Sequence, residues 1–182
     1  DRLDIVHVHD PDDHEAAALA TAFPTLIELR EQGVIGKVGC GMNQVAMLAR
    51  FVEQVDLDCI LLAGRYSLLD RSGSALLQRC AERGVDVIVG GVFNSGLLAN
   101  PVVGATFDYV AAAPALVAQA QAMQVVCDRF GVPLPAAALQ FVLRHSAVTT
   151  ALVGARSAAE IEADVAYASL PVDDELWPAL EA

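Results

Sequence analysis

The sequence predicts an α/β fold in which short apolar strands alternate with helices. Two observations carry this. Runs rich in Val, Ile and Leu begin near residues 3, 34, 57, 85 and 149, and a helical pattern follows each. A recurrent ending (Leu29-Arg30-Glu31-Gln32-Gly33-Val34, Cys80-Ala81-Glu82-Arg83-Gly84-Val85, Cys127-Asp128-Arg129-Phe130-Gly131-Val132) puts a glycine where a left-handed residue stops a helix. Twice that ending turns straight into a strand. No linker or low-complexity tract interrupts residues 1–182, so they read as a single domain. A doubly wound sheet and a (β/α) barrel both fit the alternation, and five βα units make five-eighths of a barrel.

The first strand, Leu3-Asp4-Ile5-Val6-His7-Val8-His9, has the apolar density expected of a strand buried on both faces. Strand side chains alternate, so Ile5, His7 and His9 share one face, while Val6 and Val8 take the other. With the valines packed on helices, the histidines point into a barrel or crevice. Ligands in parallel α/β folds bind at the carboxyl ends of strands, where His9 falls. His9 is thus the functional anchor, and His7, one pair deeper, reads as a buried histidine satisfied by a backbone carbonyl.

The other elements follow in order. After Pro11, Asp12-Asp13-His14-Glu15 leads into an Ala-rich helix that continues past Pro24 to Gly33. A second strand covers Val34 to Cys40. Gly41-Met42-Asn43 precedes a helix from Gln44 to Val55. Strand three is Leu57 to Leu62, and the loop Ala63-Gly64-Arg65-Tyr66-Ser67 leads to a helix ending at Gly84. Strand four, Val85 to Val89, runs into the Gly-rich Gly90–Leu98. Residues 99–112 read as irregular. Helices follow from Pro114 to Phe130 and from Pro133 and Pro135 to His145. Strand five, Thr149 to Val153, enters Gly154-Ala155-Arg156-Ser157. Ser157-Ala158-Ala159-Glu160 fits a capping box, and Asp173 caps a last helix carrying Trp177.

Composition narrows the function classes. Eleven Lys and Arg stand against 23 Asp and Glu, a net charge of −12, which argues against nucleic-acid or anionic-membrane partners. Mean hydropathy is +0.47, but no apolar run approaches the roughly 20 residues of a membrane span. Four cysteines, Cys40, Cys59, Cys80 and Cys127, form no Cys-x-x-Cys pair; they read as buried thiols of a reducing, cytoplasmic compartment and not as a zinc site.

The strand-end loops converge on one mouth and carry polar groups. Gly154, Arg156 and the Ser157-capped helix start supply N–H groups, a guanidinium and a positive dipole end, which suit a phosphate. The Gly90–Gly96 loop permits close backbone approach to a ligand. Asn43 is placed to bond an amide or to cap a helix, and Tyr66 and Phe93 to cover a planar ring or to pack in the core. A metal-dependent hydrolase is an alternative: His7-x-His9 with Asp10 and His14 has a zinc-like spacing, though the one further histidine, His145, sits on a helix.

Taken in this order, Asp4–Pro11, Gly39-Cys40-Gly41-Met42-Asn43, Tyr66-Ser67-Leu68-Leu69, Gly96-Leu97-Leu98 and Leu152-Val153-Gly154-Ala155 resemble the aldo/keto reductase family. Ala63-Gly64-Arg65-Tyr66 and Gly90–Ala99 resemble its branch of bacterial aldose (L-fucose, or D-threo-aldose) 1-dehydrogenases, related to pyridoxal 4-dehydrogenases. The resemblance implies a (β/α)8 TIM barrel of which this chain supplies the last five βα units, starting at the fourth strand. It implies NAD or NADP as cofactor, a small sugar or aldehyde as substrate, and oxidation of an aldose at C1 to the lactone. His9 takes the place of the catalytic histidine, which orients the substrate oxygen beside a tyrosine acid/base. Met42 and Asn43 fall at the nicotinamide carboxamide, Met42 where serine is usual. Gly91, Phe93 and Ser95 match the pyrophosphate loop, with Phe93 expected to cover the ring because Gly90 replaces the customary stacking tyrosine. Gly154, Ala155, Arg156 and Glu160 match the surroundings of the adenosine phosphate; Glu160 favours NAD and Arg156 favours NADP.

The family's aspartate, tyrosine and lysine belong to the first three βα units. Tyr66, Tyr109, Tyr167 and Lys37 match none of them. The expectation is therefore a segment of a longer enzyme, inactive alone. The competing expectation is a non-catalytic nicotinamide-binding module or truncated barrel.

Overall fold

The computed structural model describes residues 2–181, so the two end residues of the 1–182 domain range lie outside the described residues. Five strands form one parallel sheet: β1 (Leu3–His9), β2 (Ile35–Met42), β3 (Cys59–Ala63), β4 (Asp86–Gly90) and a last strand, Val148–Leu152, which follows a short hairpin and is β7. Their order is β1-β2-β3-β4-β7. Registers such as Val8↔Cys40, Cys40↔Ile60 and Ile60↔Val87 put like residues side by side across the sheet.

The two sheet faces differ in chemistry. Val6, Val8, Val38, Cys40, Met42, Ile60, Leu62, Val87 and Val89 face the helices and form a core with Phe23, Leu48, Phe51 and Leu77. The opposite face carries Ile5, His7, His9, Gly39, Gly41, Cys59, Leu61, Ile88 and Leu152 in register. Gly39 and Gly41 make room there. A Cβ on Gly39 would lie 2.7 Å from His7 Cε1 and 2.9 Å from Cys59 Sγ, and one on Gly41 would lie 3.3 Å from His9 Cδ2.

Helices cover the outer face: α1 (Glu15–Ala17), α2 (Phe23–Glu31), α3 (Val45–Gln54), α4 (Ser74–Arg83), α5 (Pro114–Arg129), α6 (Leu134–Leu143), α7 (Ala158–Ala168) and α8 (Leu176–Glu181). α5, α6 and α8 share a second core with Leu68, Leu97 and Leu98. No single helix among the described residues is long and apolar enough to cross a membrane; α5 and α6, which pass only as a pair, turn through 95°. All four cysteines are free and buried, and desolvation pushes the Cys40 thiol up to about 12 and the other three to about 11.

Four expectations change. β1 is an edge strand, half-exposed, with Leu3 and Ile5 open to solvent, because β2 is its one neighbour among the described residues. The first helix is not regular: a 3-10 turn over Asp12–His14 leads to α1, and a π-helical stretch, Ala18–Ala22, joins α1 to α2. Pro24 explains it, since it offers no N–H to continue the i to i−4 ladder. Residues 99–112 contain a hairpin, β5 (Thr106–Phe107) and β6 (Val110–Ala111), turned by Asp108 and Tyr109 at φ 50° and 64°. Tyr66 belongs to the core, its ring stacked on Phe141 at 5.2 Å and edge-on to His145 at 5.6 Å.

Candidate functional site

All five parallel strands end at one mouth. At the end of β1, Asp10 adopts φ 44°, a left-handed conformation that aspartate tolerates better than most residues. Its N–H bonds the Gly41 carbonyl at 2.9 Å, and its carboxylate lies 3.1 Å from His9 Nδ1. His9 is exposed, so this contact orients the ring and leaves Nε2 for a ligand. His7 is half-buried, with Nδ1 sealed from water and without a hydrogen-bond partner and Nε2 3.9 Å from Cys59 Sγ. The expected backbone contact is with Cys40, and it leaves Nδ1 without a hydrogen bond. Among the described residues, no three His, Cys, Asp or Glu side chains gather in a metal-binding arrangement.

At the end of β2, the Met42 side chain is fully buried among helices, leaving only its backbone toward the mouth. Asn43 follows, exposed; Gln44 holds the N-cap position of α3 and neither supplies a side-chain cap.

The loop after β4 is shaped by four residues with positive φ, Gly91, Asn94, Ser95 and Gly96. Gly91 (φ 65°) passes so close to β3 that a Cβ would meet Gly64 N at 3.0 Å. Asn94 and Ser95 follow at φ 46° and 58°. Asn94 is buried, accepting the Ser67 hydroxyl at 2.6 Å and donating to the Gly64 carbonyl at 3.4 Å. The Ser67 oxygen in turn accepts the N–H groups of Leu69 and Asp70. This buried relay rivets the β4 loop to the β3 loop and holds the left-handed residues, while the Asn94 and Gly96 N–H groups close turns on the Gly91 and Phe93 carbonyls at 2.9 and 3.0 Å. Ser95 ties the loop to the hairpin: its hydroxyl accepts the Tyr109 N–H at 3.0 Å, and Thr106 donates to its carbonyl at 3.0 Å. Arg65 pairs with Asp108 at the hairpin tip at 2.8 Å.

Between this loop, the hairpin and α7 lies a cleft of about 700 Å³. Gly91, Phe93 and Ser95 form one wall, Gly154, Arg156 and Glu160 the other, and Tyr109 and Tyr167 flank it. Six of the residues expected to bind cofactor therefore meet there. Ala155 lies between two of them in the loop, while His9, Met42 and Asn43 stand at the neighbouring ends of β1 and β2. Sequence reasoning missed Asp164, Tyr167 and Tyr109. The first two were accessible, since they lie four and seven residues beyond Glu160 on one helical face; Tyr109 reaches the cleft through a hairpin that no turn motif announces.

The head of α7 is capped with a shifted version of the expected box. Ser157 Oγ accepts the Glu160 N–H at 3.2 Å, but Glu160 reaches the Arg156 N–H at 2.7 Å, and its other oxygen meets the Arg156 guanidinium at 3.2 Å. These Arg156 contacts, the main-chain bond first, hold the Glu160 carboxyl below its usual range. Asp164, also lining the cleft, is shifted up, by burial and then by Glu160.

The Aldo/keto reductase family description matches residues 1–182. The chain is 40% identical over 192 residues to pyridoxal 4-dehydrogenase of Microbacterium luteolum, and 37% identical over 184 residues to D-threo-aldose 1-dehydrogenase of a Pseudomonas species. Each match covers 99% of this chain and 56% of the relative, so the chain spans a little over half the length of these relatives. Among solved structures, the holo form of aldo-keto reductase AKR11C1 from Bacillus halodurans superposes with a TM-score of 0.75 at 23% identity, over 100% of this chain and 60% of that one. The glycerol dehydrogenase AKR11B4 from Gluconobacter oxydans gives 0.74 at 19%, over 99% and 57%. These two likenesses establish the fold, a partial (β/α) barrel. With the family description matched over its full length, the chain belongs to the aldo/keto reductase family.

Proposed function

We propose that this chain supplies the dinucleotide cleft and the substrate-orienting histidine of a nicotinamide-dependent dehydrogenase that oxidises an aldose at C1. The observation that carries the reading is the meeting of the β4 loop (Gly91, Phe93, Ser95) with the β7 loop (Gly154, Arg156) across one cleft. Its size falls within the roughly 300–1,000 Å³ of small-molecule and cofactor sites. Its chemistry also fits: a left-handed backbone turn for a diphosphate, Phe93 and Tyr109 as flat apolar walls, and polar groups at α7 for a ribose. Bound there, NAD(P)⁺ supplies the hydride acceptor. Asn43, exposed and free of capping, is placed for a carboxamide. His9 contributes orientation: with Nδ1 directed at Asp10, Nε2 receives a substrate hydroxyl. The names of the two relatives support both an aldose and pyridoxal as substrate, and the aldose reading follows only the resemblance of Ala63-Gly64-Arg65-Tyr66 and Gly90–Ala99 noted in the sequence.

A second reading, a nicotinamide-binding module without turnover, is favoured by one arrangement. Tyr66 is sealed against Phe141, and the chain's single lysine, Lys37, is paired with Asp86 at 2.5 Å, so neither offers an acid/base group beside His9.

Calorimetric titration of NAD⁺ and NADP⁺ into the chain tests the cleft, and NAD(P)H formation with L-fucose or pyridoxal tests the chemistry. Saturable 1:1 binding by one dinucleotide is expected; binding of neither rejects the proposal. Binding without sugar- or pyridoxal-dependent turnover selects the second reading. Where turnover occurs, His9→Ala is expected to lower kcat by about 100-fold or more while the dinucleotide Kd holds within about twofold. Unchanged kcat removes His9 from the role.

A further inference from the structure

The two histidines of β1 face two glycines of β2. The parallel register sets His7 opposite Gly39 and His9 opposite Gly41. Neither glycine has a positive φ, so neither serves a conformation that other residues resist. What both supply is space on the inner face of the sheet. A Cβ on Gly41 would lie 3.3 Å from His9 Cδ2 and 3.4 Å from Leu61 Cβ, tighter than a relaxed contact on both sides. The edge of the His9 ring therefore rests against the bare Cα of Gly41.

Gly41 acts on His9 a second time, through its carbonyl. Neighbours along an extended strand point to opposite faces, so His9 and Asp10 would not meet in regular β backbone. They meet because Asp10 turns to φ 44°, with its N–H held by the Gly41 carbonyl at 2.9 Å. That turn brings the Asp10 carboxylate to 3.1 Å from His9 Nδ1. The two side chains are 65% and 57% exposed, and an exposed pair of this kind holds weakly by itself. The β2 backbone adds what the pair lacks, a wall for the ring and an anchor for its partner.

We propose that Gly41 is a positioning residue for His9, its bare Cα seating the imidazole and its carbonyl holding Asp10 against Nδ1. The seat fixes two properties together, the Nδ1–H tautomer and the direction of Nε2. Cδ2 is bonded to Nε2, so a methyl group at position 41 that pushes the ring edge outward swings Nε2 with it. The same movement draws Nδ1 away from Asp10. Gly41 thus acts through His9. Its consequence for turnover rests on the reading of His9 as the substrate-orienting group; the seat itself does not.

Side-chain proton–nitrogen correlation spectra of the whole chain, taken with the imidazoles neutral, test this without substrate or cofactor. The chain has four histidines, and loss of signals in His9→Gln identifies those of His9. The Nδ1–H form of His9 is expected to outweigh the Nε2–H form by about fivefold or more. In Gly41→Ala and in Asp10→Ala it is expected to become the minor form, while Asp10→Asn, which keeps an acceptor oxygen, retains most of it. A nuclear Overhauser contact between His9 Hδ2 and the Gly41 Hα protons is expected in the unmodified chain. Where turnover occurs, Gly41→Ala is expected to lower kcat by about tenfold, with substrate KM and dinucleotide Kd held within about twofold. A mainly Nε2–H His9 in the unmodified chain, or no contact between its ring and Gly41, overturns the inference even where a variant fails to fold. An unchanged tautomer ratio in a folded Gly41→Ala variant also overturns it. Binding of neither dinucleotide overturns the proposed function and the effect on turnover, while the tautomer and the ring contact still decide the seat.

Discussion

His7 shows at the scale of one residue how the sheet alters a titratable group. Burial holds its imidazole below the ordinary value of 6.5; its contact with the Cys40 backbone opposes this and His9 adds to it. The folded chain thus keeps His7 neutral, whereas the unfolded chain takes up a proton as pH falls through about 6.5. Stability is therefore lost on acidification below that value, down to the folded-state pKa. Urea midpoints at pH 7.5 and 5.5 are expected to differ, with a smaller difference in His7→Gln; an equal difference in both proteins refutes the assignment. His145, also lowered by burial, contributes in the same direction, so some slope survives the substitution. Alternation along the strand sufficed to place His7 and His9 on one face. The missing partner of His7 Nδ1 was not legible, because it depends on Gly39 and Cys59, distant in sequence and adjacent only through the parallel register. Met42 and Tyr66 were hidden for a related reason: an apolar or aromatic residue at a strand end has the same sequence whether it faces the mouth or the helices.

At the scale of elements, the glycine stops were the most readable feature. Gly33, Gly84 and Gly131 adopt φ 73°, 68° and 66°, and a Cβ at each would meet no atom within 4 Å. The requirement for glycine is conformational and not steric. Gly84→Ala is accordingly expected to lower unfolding free energy by about 1–2 kcal/mol, and Gly84→Asn by less, in urea denaturation. A loss with Asn equal to that with Ala would show that left-handed strain is not the cause. Such stops are local, which is why three occurrences stood out. The β5–β6 hairpin was not legible, since Asp108 and Tyr109 turn it without the Asn-Gly or Asp-Gly signal. It is set from outside, by Arg65 on Asp108 and by the Ser95 hydroxyl on the Tyr109 N–H. The capping box was half right: Ser157 caps as expected, but Glu160 bonds Arg156, one residue earlier than the pattern implies.

Across the whole molecule, the sheet is an arc with two free edges among the described residues, β1 and β7. Leu3, Ile5 and Leu152 are exposed on these edge strands, and Ile161 and Val165 on α7. Unpaired parallel edges beside apolar side chains favour association, and the net charge of −12 opposes it. Sedimentation velocity is expected to show self-association that grows as pH approaches 4.5 or as salt rises, and that Ile5→Lys suppresses. A monomer unaffected by salt would contradict this. The alternation alone fitted a doubly wound sheet as well as a barrel, and the order β1-β2-β3-β4-β7 is that of a barrel; two open edges are what five barrel units imply, but the apolar density of β1 did not reveal that it is one of them. One further consequence follows from the path of the chain. β1 to β4 are laid down in succession, but residues 91–147 intervene before β7 joins β4. Closing that long excursion is the costly step in assembling the sheet, and β7 is its last strand. The cleft lies across this seam, with the β4 loop on one wall and the β7 loop and α7 on the other. A molecule bound there grips both ends of the excursion, so ligand concentration becomes a lever on folding: unfolding free energy rises by RT ln(1 + [L]/Kd), and the seam is where that gain is felt.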